Sequence, residues 1–185
     1  MEVKGSAVIV LPKFIESNFG AKNLNVWLES LSEEAKKVYK SKILISSWFP
    51  LKTIFSEPTR KMCDLFYKRD LMGAWEVGRF SAEYALKGFY KAYVKVATPQ
   101  ALTKRASQIF GAYYRPSSIE IDDKNEKKTI LKITEFSEMD EIVEMRILGW
   151  IEKILEICRC RNISLNVVKS LCQGDSVSEI EGSWE

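Results

Sequence analysis

The residues of this chain that can do chemistry are thiols, carboxylates, amines and phenols, because it contains no histidine. That absence removes Ser-His-Asp and Cys-His nucleophilic pairs, His-based metal triads and the imidazole of a proximal haem ligand. Cys158-x-Cys160, with Cys172 downstream, brings three thiols, one ligand short of a structural zinc site, and the one-residue spacing at a helix end is poor geometry for zinc. We therefore expect no metal, and buried or incidental thiols. Glu76, Arg79, Glu83 and Lys87 could be read as acid–base machinery, but steps of three and four are the ladder of a solvated helix face. No catalytic residue is assigned and no enzyme activity is expected. Lys87, Lys91, Lys95, Lys104 and Arg105 form a basic helix end that could dock a phosphate headgroup or acidic partner. Ordinary solubility accounts for it, and no nucleic-acid motif accompanies it.

The remaining candidates are apolar. Trp75, Phe80, Tyr84, Phe89 and Tyr93 lie on one segment, with Tyr113, Tyr114 and Trp150 elsewhere. Amphipathic helices bury such residues as core, yet the same set can wall a cavity in which phenols and indoles act as polar handles. The pocket candidates are Trp75, Phe80, Tyr84, Phe89, Tyr93, Tyr114 and Trp150. Gly78, Ala82, Ala85 and Gly88 permit close backbone approach, either within the chain or across a two-fold dimer contact.

A chain of 185 residues with 46% hydrophobic and 29% charged residues suits a single globular domain, residues 1–185. A net charge of +3 is too small to call for nucleic acid. The apolar run Ala7–Leu11 is too short for a secretory core or a membrane span, so a cytoplasmic protein with reduced cysteines is expected.

Periodicity then sets out the elements. Val3–Leu11 reads as a strand, with a helix opening at Pro12 and ending at Gly20. Leu24, Trp27, Leu28 and Leu31 recur as a second helix, and Ser32 caps a third. Trp48-Phe49-Pro50 reads as the first turn of a helix, and Ser56-Glu57-Pro58 as the start of another. Asp70 caps a long central helix from Leu71 to Val96, and Thr98-Pro99 opens a helix to Phe110. Ile119, Ile121, Ile130, Leu131 and Ile133 flank a polar turn as a hairpin. Ser137 caps a helix with a stripe of Ile147, Leu148, Ile151, Ile154, Leu155 and Cys158. Ile163–Val167 and Val177–Trp184 pair antiparallel. The fold class is α+β: helices first, then β-β-α-β-β, with the long central helix packed on one side of an antiparallel sheet.

The stretch Trp75-Glu76-Val77-Gly78-Arg79-Phe80-Ser81-Ala82-Glu83-Tyr84-Ala85-Leu86-Lys87-Gly88-Phe89-Tyr90-Lys91 resembles an uncharacterised bacterial domain family. Val3-Lys4-Gly5-Ser6, Trp48-Phe49-Pro50, Gly149-Trp150-Ile151-Glu152 and Cys172-Gln173-Gly174-Asp175 are similar to it in the same order. The resemblance implies the ligand-binding fold of haem-NO-binding, 4-vinyl reductase and TRAPP-subunit domains. It also implies a pocket between helices and sheet, frequent dimers, and haem, tetrapyrrole-like, hydrophobic or acyl ligands. Two departures narrow this: there is no histidine for haem iron, and Ser178 stands where many relatives carry a cysteine. We expect a non-enzymatic sensor or carrier domain for a small hydrophobic molecule or acyl chain, homodimeric and without a cofactor. The other readings are a scaffolding module that dimerises and recruits a partner with no ligand, and a tetrapyrrole reductase by family analogy alone.

Overall fold

The chain opens on a short strand, β1 (Glu2–Lys4), and turns helical at once. The strand expected over Val3–Leu11 is replaced from Gly5 onward by helices α1 (Gly5–Val8) and α2 (Val10–Ser30). Ala7, Val8, Val10 and Leu11 are all buried, and burial on every side erases the period that separates helix from strand. The two helices part at Ile9 because Pro12 has no N–H to give the Val8 carbonyl four residues back. Gly20, at φ +82°, kinks α2 where the sequence predicts a helix end. Ser32 caps α3 (Glu33–Tyr39) as expected, its Oγ accepting the Ala35 N–H at 3.3 Å.

Trp48-Phe49-Pro50 is not a helical turn but strand β2 (Trp48–Pro50), antiparallel to β1, with Pro50 on the edge strand where its missing N–H is harmless. Nor does a fresh helix start at Ser56. A π-helical turn, Lys52–Ser56, runs directly into α4 (Glu57–Phe66) with helical dihedrals at the junction. Pro58 cannot donate to the Ile54 carbonyl, and the buried Tyr39 hydroxyl donates to that oxygen instead, at 2.7 Å.

The computed structural model describes residues 1–87 and 105–185. Asp70 caps α5 (Met72–Lys87), its carboxylate accepting the Met72 N–H at 2.9 Å. The predicted reach of this helix to Val96, and the Thr98-Pro99 start, lie outside the described residues. Helix α6 (Ala106–Tyr113) leads into β3 (Tyr114–Arg115), which joins a three-stranded sheet of order β2-β1-β3.

The second half follows the alternation. Strands β4 (Ser118–Asn125) and β5 (Lys128–Thr134) form the hairpin. Helix α7 (Glu141–Ile157) comes next, then β6 (Ser164–Lys169) and β7 (Ser178–Ser183), giving an antiparallel sheet of order β4-β5-β7-β6. Thr129, Leu131, Ile133 and Ile180 face inward and are buried. The outer face carries ion pairs such as Lys132–Glu179 at 3.8 Å. Asp140, not Ser137, caps α7, accepting the Val143 N–H at 2.9 Å. Its carboxylate also takes the Ser56 hydroxyl, which ties the π-helical turn to the start of α7.

Two helices fix the interior. Where α5 meets α7, a Cβ on Gly78 would lie 2.1 Å from the Arg146 carbonyl oxygen, and one on Gly149 would lie 2.0 Å from that of Trp75. This is a reciprocal backbone contact that only glycine allows. Two members of the charged ladder of α5 strap the crossing: Arg79 pairs with Glu156 at 2.8 Å and Glu152 at 3.3 Å, and Glu83 with Lys153 at 2.7 Å. From the sequence, the steps of three and four read as a ladder along one solvated face. A partner helix at backbone distance offers better-placed opposite charges.

Candidate functional site

The inward faces of the four-stranded sheet and of α5 and α7 do not close on each other. Between them, α6 and the N-terminal helices lies a cavity of about 490 Å³, within the ~300–1,000 Å³ that small-molecule sites span. The helices contribute Ala85 from α5 and Ile147, Trp150 and Ile154 from α7. The sheet contributes Ile119, Ile121, Leu131 and Leu165, and Phe110, Tyr113 and Tyr114 close one side. Alternation supplies the sheet wall, and the 3.6 period of α7 supplies the opposite one.

The predicted pocket residues divide. Tyr84, Tyr114 and Trp150 stand in the cavity wall. Tyr84 is 39% exposed, with the Lys13 ammonium 5.4 Å from its ring centroid. Trp150 meets the Tyr113 ring edge-on at 6.3 Å. Trp75 and Phe80 are turned elsewhere: the Arg79 guanidinium covers the Trp75 indole at 4.7 Å, and Phe80 packs edge-to-face on Phe14 at 5.5 Å. Phe89, Tyr93 and Gly88 lie outside the described residues. Gly78 touches both the crossing and the cavity, Ala82 is fully buried, and Ala85 faces the cavity.

One wall residue is absent from the sequence-level set. Arg146 is 3% exposed and faces the cavity. Its Nη1 donates to Thr59 Oγ1 at 3.0 Å and its Nη2 to the Ala7 carbonyl at 3.4 Å, while its Cζ sits 3.7 Å from the Phe55 ring centroid. Burial pushes its pKa down to about 10, against the opposing influence of Tyr114, Tyr39 and Cys63, so it stays charged at neutral pH. Burial acts in the other direction on its neighbours: Tyr114 is pushed up to about 12 and Tyr39 higher still, so both are neutral phenols. The signal for Arg146 was in the sequence. A lone cation stands one turn before Trp150 in the run Ile142, Val143, Arg146, Ile147, Trp150, among positions that otherwise read apolar.

The cysteines do not enter the site. Burial pushes Cys63, Cys158 and Cys172 up to about 11, the range of protonated, unreactive thiols. Among the described residues no cluster of Cys, Asp and Glu is placed to hold a metal ion, and no helix is long and apolar enough to cross a membrane.

The fold these elements make, helices over one face of an antiparallel sheet, is the H-NOX fold. An H-NOX protein from S. oneidensis in its Fe(II)NO ligation state matches with a TM-score of 0.74 at 12% identity, over 98% of this chain and 99% of that one. Unliganded Fe(II) H-NOX from K. algicida matches with a TM-score of 0.72 at 8% identity, over 98% and 96% of the two chains. Cs H-NOX carrying a cyano-phenylalanine matches with a TM-score of 0.76 at 14% identity, over 98% and 96%. No family model and no curated protein matches the sequence. The fold likeness corrects the cofactor-free expectation drawn from the missing histidine. Proteins of this fold were solved with ligated iron, and one structure probes haem distortion in the H-NOX family, so histidine content alone is no ground for excluding a cofactor.

Proposed function

We propose that this chain is a non-enzymatic ligand-binding domain, a sensor or carrier, that takes a small hydrophobic molecule into the cavity between α5, α7 and the four-stranded sheet. The observation that carries this reading is the cavity itself, about 490 Å³ and walled largely by aliphatic and aromatic side chains. A close-packed interior leaves few voids larger than a water molecule. Burying an apolar ligand there is favourable by about 25 cal/mol per Å² of surface removed from water. A signal would need different affinity for two conformations of the domain.

Haem is one molecule of this class. When bound it supplies an iron centre with a position open to a small gas. The described wall contains no Cys or Met, and its side chains of a type that holds haem iron are Tyr84, Tyr113 and Tyr114. Those three phenols are the described residues that would hold the metal. A homodimer belongs to the same proposal, with its contact away from Gly78 and Ala82, which are spent inside the chain.

Native and denaturing mass spectra of the purified protein, followed by solvent extraction, test this. The expected result is a stoichiometric hydrophobic molecule released on denaturation, and a native mass of two chains. An empty protein that also takes up neither added haem nor a long-chain fatty acid would overturn the reading.

A further inference from the structure

We infer that the molecule held in this cavity is an apolar acid, and that Arg146 receives its carboxylate; this rests on the cavity being a ligand site. The first observation is the charge of the wall. Among the described residues it contains two cations, Lys4 and Arg146, and no aspartate or glutamate. The second is the condition of Arg146. Its two hydrogen bonds run to neutral oxygens, the Thr59 hydroxyl and the Ala7 carbonyl. The described ionisable groups that act on its charge are Tyr114, Tyr39 and Cys63, none an anion at neutral pH. A guanidinium stripped of water without an opposite charge is costly, and an apolar side chain of similar length would be less so.

Position completes the case. Ala7 and Phe55, both in contact with the guanidinium, are themselves cavity wall. Arginine carries five N–H donors in a planar fork that suits a carboxylate, and two are in use here. A ligand carboxylate at this point would replace lost water with a charge-assisted pair, while its hydrocarbon or ring body fills the space along Ile147, Ile154 and Leu131.

The test compares acids with neutral twins on the full chain, read by quenching of tryptophan fluorescence, since Trp150 and Trp184 line the cavity. Palmitate is paired with cetyl alcohol, and protoporphyrin with its dimethyl ester. In the wild-type protein at least one acid should bind about 10- to 100-fold tighter than its twin, the range of a charge-assisted hydrogen bond. Arg146→Met should bring that acid down to its twin's affinity and leave the twin unchanged, and Arg146→Lys should restore part of the preference. Which pair shows the preference identifies an acyl chain or a tetrapyrrole as the source. Equal binding of acid and twin in the wild-type protein overturns the inference and leaves the cavity reading standing. Failure of all four probes removes both. If Arg146→Met does not fold, equal binding of acid and twin in the wild-type protein still overturns the inference, and a preference that Arg146→Lys leaves undiminished while Lys4→Met abolishes it overturns the assignment to Arg146.

Discussion

Helices α5 and α7 are packed in two opposite ways along a single contact. At Gly78 and Gly149 the backbones meet so closely that neither position has room for a methyl group. Two turns further along α5, Ala85 faces a cavity of about 490 Å³. A fold able to bring two helices to glycine-on-carbonyl distance does not leave the adjoining space open through poor packing. The crossing acts as a spacer that holds the two helix backbones at glycine-on-carbonyl distance, and the cavity lies beyond it along α5.

Breaking the crossing should have the largest effect. Gly78→Ala and Gly149→Ala each drive a methyl group into a carbonyl oxygen that belongs to helix backbone and cannot swing aside. Overpacking of this kind costs about 3 kcal/mol, against a gain of about 1 kcal/mol from replacing glycine by alanine inside a helix. For a chain of this size a net loss of ~2 kcal/mol lowers Tm by roughly 4–8 °C. Thermal denaturation of either variant checks it, and the pair should be less than additive because both strain one contact. A rise in Tm for Gly78→Ala would mean the helices do not meet as described.

A smaller effect sharpens the contrast from the cavity side. Tyr114 is buried beside Arg146, and its phenol is pushed from the ordinary 10 up to about 12 by burial, with Arg146 pulling the other way. A raised folded-state pKa means that the stability it contributes is complete below pH 10 and is lost as pH rises from 10 through 12. Over that window the loss amounts to about 1 kcal/mol per pH unit. Tyr114→Phe should therefore flatten the alkaline fall in stability relative to wild type and leave the curve near neutrality in shape. Urea titrations at pH 9, 10 and 11 would show it, and parallel curves for the two proteins would place the phenol in water.

How far the sequence carried depended on whether one pattern had one cause. The C-terminal strands were legible because Leu131, Ile133 and Ile180 alternate with charged residues that face water, so period two has a single explanation. The first helices were not, because Ala7, Val8, Val10 and Leu11 are all buried and the run shows no period. Pro58 suggested a helix start because a missing N–H usually breaks a helix, and only the Tyr39 hydroxyl, 19 residues earlier, repairs it here. Three of the predicted wall aromatics could be placed in the cavity, yet Trp75 and Phe80 have the same composition and spacing and face other neighbours. Periodicity assigns a residue to a face; it does not say whether that face meets another side chain or a void. Arg146 was passed over because a charge within an apolar stripe reads as an interruption until its surroundings show no anion.

The smallest effect on stability is expected where the hollow itself is filled. Ala85→Leu adds three carbons on the same helix, seven positions beyond Gly78, into space that already exists. It should leave Tm within roughly 2 °C of wild type, since burying the added methylenes offsets the lost rotamer freedom. Ligand uptake should respond differently. A leucine there removes volume that a bound molecule needs, so binding of the preferred acid should fall at least about tenfold with no matching loss of stability. Tm and fluorescence titration on the same preparation would measure both. If Ala85→Leu destabilised the protein as strongly as Gly78→Ala, the interior there would already be close-packed, and the division of α5 into a spacer and a cavity wall would have to be given up.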